Sequence, residues 1–204
     1  MTQATFLGID VGTSSIKVVA VSPAGQHLAT ASSPMTVSVP QPGWSEQNPE
    51  DWWTGTCSAI RHVLAEIESP SVLGIGLSGQ MHSLVALDRD NRVVRPAILW
   101  NDVRTSAEAA YIRETVGNDS LRRLTGNPAL EGFTATKLLW MRKNEPELFD
   151  RVAHMLLAKD YIRFRLTGEL AVEPSDASGT LLFSVVESSW SAAMYTTLGV
   201  DPGL

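Results

Sequence analysis

The sequence predicts an α/β domain built around a mixed sheet. Three observations carry that prediction. The chain opens with three short apolar runs separated by small-residue turns, and helical and strand-like segments alternate afterwards. The 204 residues are 44 % hydrophobic and 19 % charged, the composition of a folded chain with a sizeable core.

Phe6, Leu7, Ile9 and Val11 form the first run. Gly12-Thr13-Ser14-Ser15 breaks it, and residues 16–21 make a second, β-branched run. Ser22-Pro23-Ala24-Gly25 reads as a turn and residues 27–32 as a third strand, so the opening is an antiparallel meander. Residues 34–48 are a Pro-rich connection. Asn48 then caps a helix, Pro49 suits its first position, and Glu50 and Asp51 favour the positive end of its dipole. Trp53, Cys57, Ile60, Leu64 and Ile67 recur at helical spacing, and Ser69-Pro70 ends the helix.

Residues 72–77 read as a strand. A second strand pair covers 82–87 and 92–100 around the turn Asp88-Arg89-Asp90-Asn91. Helices are expected over 105–116, stopped by Gly117, and over 134–143, with a short restart at Glu145-Pro146. Residues 154–157 read as a strand, 160–166 as a helix closed by Gly168, and 191–198 as a final helix. A Rossmann domain alternates strand and helix from its start, and no Gly-x-Gly-x-x-Gly follows the first strand here. No Walker Gly-Lys-Ser/Thr occurs either.

Lys and Arg number 16 and Asp and Glu 22, a net charge of −6, which argues against a nucleic-acid partner. No apolar stretch approaches the ~20 residues that span a bilayer, and the first residues lack the pattern of a secretory leader. No membrane partner and a cytoplasmic location are the expectations. The single cysteine, Cys57, excludes an internal disulfide and a Cys-based zinc site. His27, His62 and His154 are scattered and suggest no metal cage.

Three segments carry candidate chemistry. Asp10 interrupts an apolar strand, and a buried carboxylate there needs a partner or a cation. Gly12, Thr13 and Ser14 follow in a turn able to point backbone N–H groups at an anion, and Lys17 returns close to it. Together they read as a magnesium and nucleotide-phosphate site, or as an ordinary hairpin. Gln80, Met81 and His82 end another apolar strand; they offer hydrogen bonds and an adaptable wall to a polyhydroxylated ligand, or form a turn around a satisfied histidine. Trp100, Asn101, Asp102 and Arg104 read as a sugar-binding lip, or as a helix cap with a local ion pair. Trp44, Trp52 and Trp53 read as core, and Lys159, Asp160 and Asp176 as structural. No Gly-x-Ser-x-Gly elbow supports a hydrolase triad, and Glu145 and Glu147 do not read as a glycosidase pair.

In order along the chain, Gly8-Ile9-Asp10-Val11-Gly12-Thr13-Ser14, Trp44-Ser45-Glu46-Gln47-Asn48-Pro49 with Trp52-Trp53, Gly79-Gln80-Met81-His82 and Ile98-Leu99-Trp100-Asn101-Asp102 resemble the FGGY carbohydrate kinases. So do Lys137-Leu138-Leu139-Trp140 with Asn144-Glu145-Pro146-Glu147, Lys159-Asp160-Tyr161-Ile162-Arg163 and Ser175-Asp176-Ala177-Ser178-Gly179-Thr180. The resemblance implies a ribonuclease H-like, actin-type fold. It also implies ATP-dependent phosphorylation of a ketopentose, D-xylulose first among them, with Mg²⁺ as cofactor. Asp10 is then the magnesium-side residue. Gly12, Thr13, Ser14 and Lys17 belong to the first phosphate hairpin. Gln80, Met81, His82, Trp100, Asn101 and Asp102 belong to the sugar side. The small-molecule partners are the sugar and ATP, and a homodimer of the full-length protein is an open option. The resemblance further implies a base aspartate in a Gly-Gly-x-Asp-type segment, which this sequence lacks. Residues 1–204 are therefore expected to be the N-terminal domain without its C-terminal nucleotide lobe, inactive alone. A kinase for ribulose, gluconate or glycerol is an alternative. A non-catalytic actin-like scaffold is another, though it has no evident use for Gln80-Met81-His82.

Overall fold

Period-2 alternation organises the first layer. The computed structural model describes residues 2–204. β1 (Gln3–Val11), β2 (Ser15–Val21) and β3 (His27–Pro34) form the expected antiparallel meander, with Asp10 opposite Lys17 and Lys17 opposite Ser32. After the two-residue β4 (Glu46–Gln47) and the long helix α1 (Pro49–Ala65), β5 (Pro70–Gly79) returns parallel to β1. The sheet is mixed, in the order β3-β2-β1-β5.

Leu7, Ile9, Val11, Ile16, Val18 and Ala20 point inward and are buried with Trp52, Ala59 and Val63 of α1. Burying a Leu, Ile or Val side chain of this kind contributes roughly 1.5–3 kcal/mol. Phe6, Asp10 and Lys17 occupy the opposite, exposed face. Gly74, Gly76 and Gly79 repeat a dinucleotide-fingerprint spacing, yet they lie inside β5 and not in a strand-to-helix turn.

α1 begins as expected: Oδ1 of Asn48 accepts the Glu50 N–H at 3.2 Å, and Pro49 fills the first turn. It ends at Ala65, so Ile67 is buried in the following turn and not on the helix.

The second strand pair is corrected. β6 (Val85–Leu87) and β7 (Ala97–Ile98) are short, and only the Leu84–Ile98 and Leu87–Val93 bridges remain of the expected hairpin. β6 pairs instead with β8 (His154–Leu156), and β7 with β4. Pro96 donates no N–H to a ladder and interrupts the second strand. The pair also separates two hydrophobic cores. Leu84 and Ile98 face one, while Val85 and Leu99 face the other.

The helices α2 (Ser106–Val116), α4 (Thr134–Asn144), α5 (Pro146–Phe149), α6 (Ala158–Thr167) and α8 (Ala192–Leu198) match expected segments. α3 (Asn118–Thr125) is an addition. So are α7 (Pro174–Ala177), the 3-10 turn Ser178–Thr180, and the hairpin of β9 (Phe183–Ser184) and β10 (Ser189–Trp190). α3 escapes periodicity because only Leu121 and Thr125 of its eight residues are buried. Ile112, Leu121, Leu138, Leu181 and Met194 fill the second core. Asn48→Ala is expected to lower stability by about 1 kcal/mol, read from urea unfolding, because the first turn of α1 loses its side-chain acceptor.

Candidate active site

The β1–β2 turn is closed by the Gly12 N–H, which donates to the Ser15 carbonyl at 3.1 Å. A Cβ at Gly12 would lie 2.8 Å from that carbonyl oxygen, so the turn takes only glycine. Thr13 at its tip is tied to distant segments. Its hydroxyl accepts from Trp100 Nε1 at 2.9 Å and donates to Gln80 Oε1 at 3.3 Å. Its carbonyl accepts from Gln47 Nε2 at 2.8 Å. Gln80 Nε2 donates to Gln47 Oε1 at 3.2 Å, and Trp52 Nε1 reaches the same oxygen at 3.0 Å. Thr13, Gln80 and Trp100, predicted from three separate segments, therefore meet. Gln47 is the residue that joins them, and the sequence assigned it no role. Its signals were membership of the Trp44–Pro49 block and an amide placed just before a helix cap, where the structure buries it.

Asp10 is not buried, contrary to expectation. It shares the outer face of β1 with Phe6 and Gly8, so water solvates the carboxylate and no desolvation penalty arises. Oδ1 accepts from the Ser78 hydroxyl at 3.0 Å, and Oδ2 has no protein partner among the described residues. Lys17 is exposed on the same face, opposite Asp10 in register. The backbone N–H groups of Thr13 and Ser14 also lack protein partners among the described residues. Asp10 is close to the second site segment, because the Gln80 N–H donates to the Val11 carbonyl at 2.9 Å.

His82 sits at φ +63°, a left-handed conformation uncommon for a side chain of this size. Its ring stacks on Phe133 with centroids 4.5 Å apart. A Cβ on Gly179 would overlap the Cδ2–Nε2 edge of that ring. Burial, and then the Lys137 charge, push the imidazole down to about 4, while a Gly132 backbone hydrogen bond opposes them. His82 is therefore neutral near pH 7. Lys137 of α4 is buried, and its Nζ donates to the His82 and Gly132 carbonyls, each at 2.7 Å. Burial pushes its amine down to about 7 against the upward pull of Asp102. Met81 and Trp100 are 46 % and 44 % exposed and form the outward wall, with Asn101 also exposed.

Asp102 is also corrected. It is 1 % exposed and does not stand on the lip. Oδ2 accepts the Ser45 N–H at 2.6 Å and Arg104 Nη2 at 2.7 Å, while Oδ1 accepts the Arg104 N–H and Nε. Both oxygens are consumed. Arg104 also pairs with Glu46 at 2.7 Å and lies 3.7 Å over the Trp44 ring, which meets Trp140 edge-on. Arg95 completes the cluster through Glu46 and Glu145. The local-ion-pair reading holds, but the helix-cap reading does not, because Thr105 precedes α2 without a side-chain cap.

Lys159 pairs with Asp176 at 2.7 Å, Asp160 at 3.2 Å and Glu173 at 3.3 Å, pinning α7 beside the end of β5. Among the described residues, no group of three or more His, Cys, Asp or Glu is arranged to hold a metal ion, and no helix is long and apolar enough to cross a membrane.

The N-terminal domain of the FGGY family of carbohydrate kinases matches residues 5–203. The chain belongs to the FGGY family. It is 41 % identical over 202 residues to the xylulose kinase of Staphylococcus xylosus, covering 99 % of this chain and 42 % of that protein. It is 43 % identical over 189 residues to the xylulose kinase of Escherichia coli (strain K12), covering 93 % and 39 %. The crystal structure of xylulose kinase from Rhodospirillum rubrum superposes with a TM-score of 0.94 at 28 % identity, covering 98 % of this chain and 42 % of that one. The chain thus spans about two-fifths of the length of the curated relatives it matches. The expected fold class, an α/β domain of the ribonuclease H-like, actin-type class with a mixed sheet, is the one found in these FGGY kinases.

Asp102→Asn is expected to lower stability by about 1–3 kcal/mol in chemical unfolding, because it removes one of the two carboxylates that pair with buried Arg104. The contribution of His82 to stability should also fall as pH drops from about 6.5 to about 4, seen as the difference between the wild type and a His82 variant. Over that range the unfolded chain protonates His82 and the folded one does not. An NMR titration in which the His82 ring stays neutral down to about pH 4 is the matching observation.

Proposed function

We propose that these residues form the sugar side and the first phosphate hairpin of an ATP-dependent ketopentose kinase that converts D-xylulose to D-xylulose 5-phosphate. The observation that carries this reading is the Thr13 hydroxyl, bonded to both Trp100 and Gln80. It joins the hairpin suited to phosphate to the two loops suited to a sugar. Relatives named xylulose kinase, at 41 % and 43 % identity, support the choice of sugar.

In the reaction a sugar hydroxyl oxygen bonds to the γ-phosphorus of ATP. The bond from that phosphorus to the bridging oxygen breaks, ADP leaves, and the hydroxyl proton passes to a base. On the phosphate side, the free N–H groups of Thr13 and Ser14 and the Lys17 ammonium offer donors and positive charge to the phosphate oxygens. Asp10 fits magnesium: it is solvated, and Oδ2 is open, as suits an ion held through one carboxylate, water and substrate phosphates. Magnesium, when bound, supplies charge neutralisation of the triphosphate.

On the sugar side, His82 offers a neutral imidazole, Met81 and Trp100 offer apolar wall, and Asn101 offers an exposed amide. With its imidazole near 4, His82 is too weak a base to take the proton at neutral pH, so its role is to bind. Asp102 acts at one remove, holding the turn that presents Trp100. The sequence contains no Gly-Gly-x-Asp segment, so the base is not assigned to any of these residues.

Calorimetry with D-xylulose, gluconate and glycerol tests the reading. D-Xylulose is expected to bind most tightly, and His82→Ala to weaken it at least tenfold, about 1.4 kcal/mol. Tighter binding of gluconate or glycerol overturns the choice of sugar. These residues alone are expected to turn ATP over far below the roughly 1–100 s⁻¹ of complete kinases.

A further inference from the structure

The Lys137 side chain is fully buried on α4, where an aliphatic residue would avoid desolvating an amine. Its Nζ has no carboxylate within ion-pair distance among the described residues. What it holds are two backbone carbonyls, those of His82 and Gly132. The Thr134 hydroxyl donates to the same His82 carbonyl at 3.1 Å.

Both carbonyls belong to the candidate sugar site. His82 carries the imidazole and is held in the left-handed region, a conformation that persists only where the surroundings enforce it. Gly132 precedes Phe133, the residue stacked on that imidazole. A Cβ on Gly132 would lie 2.7 Å from the Trp100 carbonyl oxygen, so the loop carrying Phe133 also presses directly on the backbone of the Trp100 turn. One amine therefore ties together the loop that carries the imidazole and the loop that carries its stacking partner, and the second of these abuts the Trp100 turn.

We propose that Lys137 is a positioning residue for the sugar: by binding the His82 and Gly132 carbonyls it sets the angle at which the His82 ring meets the ligand. It does not touch the ligand itself. The reference to a sugar rests on the function proposed above, whereas the hold on the His82 ring does not. A neutral amine keeps N–H donors for both carbonyls, so the tie persists on either side of the amine's titration. The charged groups facing Lys137 are Asp102 and Arg104 from the Trp100 turn, and the titratable His82 faces it from its own loop.

The test is Lys137→Met, which keeps the length and apolar stem and removes the donors. Two readouts are taken at a temperature where circular dichroism shows the variant folded. The first is the NMR titration of the His82 ring without ligand, which is expected to move up from its lowered position as the ring loosens and the neighbouring charge disappears. The second is D-xylulose affinity, which is expected to fall at least tenfold. Loss of the Lys137 charge alone raises the His82 titration, so Thr134→Val, which keeps that charge and removes one donor to the same carbonyl, is titrated alongside. A residue that merely packs the core would leave the Thr134→Val titration and the D-xylulose affinity of Lys137→Met unchanged. A wild-type value for either one overturns the proposal. If the wild-type protein takes up no ketose yet the His82 titration shifts in Thr134→Val, which keeps the Lys137 charge, positioning stands and the sugar assignment falls. If Lys137→Met does not fold, Thr134→Val removes one donor to the same carbonyl. A smaller shift in the same direction supports the proposal, and an unmoved titration overturns it.

Discussion

The side-chain amide of Gln47 is the joint on which the site depends. It is buried, and an unpaired buried amide is costly, so its hydrogen bonds must all be found within the fold. It finds them in the Thr13 carbonyl, the Thr36 carbonyl, the Gln80 amide and the Trp52 indole. Those partners come from the β1–β2 turn, the Pro-rich connection, the end of β5 and α1. Satisfying one group therefore fixes four segments against one another. Through Gln80 and Thr13 the same chain of bonds continues to Trp100.

Behind that joint lies a second polar assembly, in which Asp102, Arg104, Glu46, Arg95 and Glu145 pair beneath Trp44 and Trp140. Buried pairs of this kind add little net stability over apolar packing, but each resists removal of one partner. Their evident product here is geometry. The Asp102 carboxylate clamps the turn after Leu99 and leaves Trp100 facing outward. The two corrections to the expected site share one cause. Asp10 and Asp102 exchange environments relative to the sequence reading: the residue thought to be buried is solvated, and the residue thought to line the lip is sealed in.

The opening meander, the Asn48-capped helix, the existence of the strand that becomes β5 and most later helices were legible because period and capping chemistry are local; the parallel pairing of β5 with β1 was not. The pairing of Val85–Leu87 with His154–Leu156 was not. Those short strands lie between two cores, so both faces are apolar and no alternation marks them. α3 was missed for the opposite reason, since too few of its residues are buried to make a stripe. In the site, Thr13, Gln80, Met81, His82 and Trp100 were readable because each lies where an apolar run ends in a polar turn. Gln47 and Lys137 lay inside blocks that resemble the family but received no role, because a lone amide or amine shows no partner until other segments are placed.

Residue order alone dictated the α/β class, the elements of the first sheet and the segments that bear polar chemistry, since these follow from turn chemistry and hydrophobic period over short stretches. Folding alone dictated which of those polar groups are wet, which are sealed, and which meet. Solvation of Asp10, enclosure of Asp102 and the neutral state of His82 depend on atoms supplied by segments tens of residues away, and no local rule reports them.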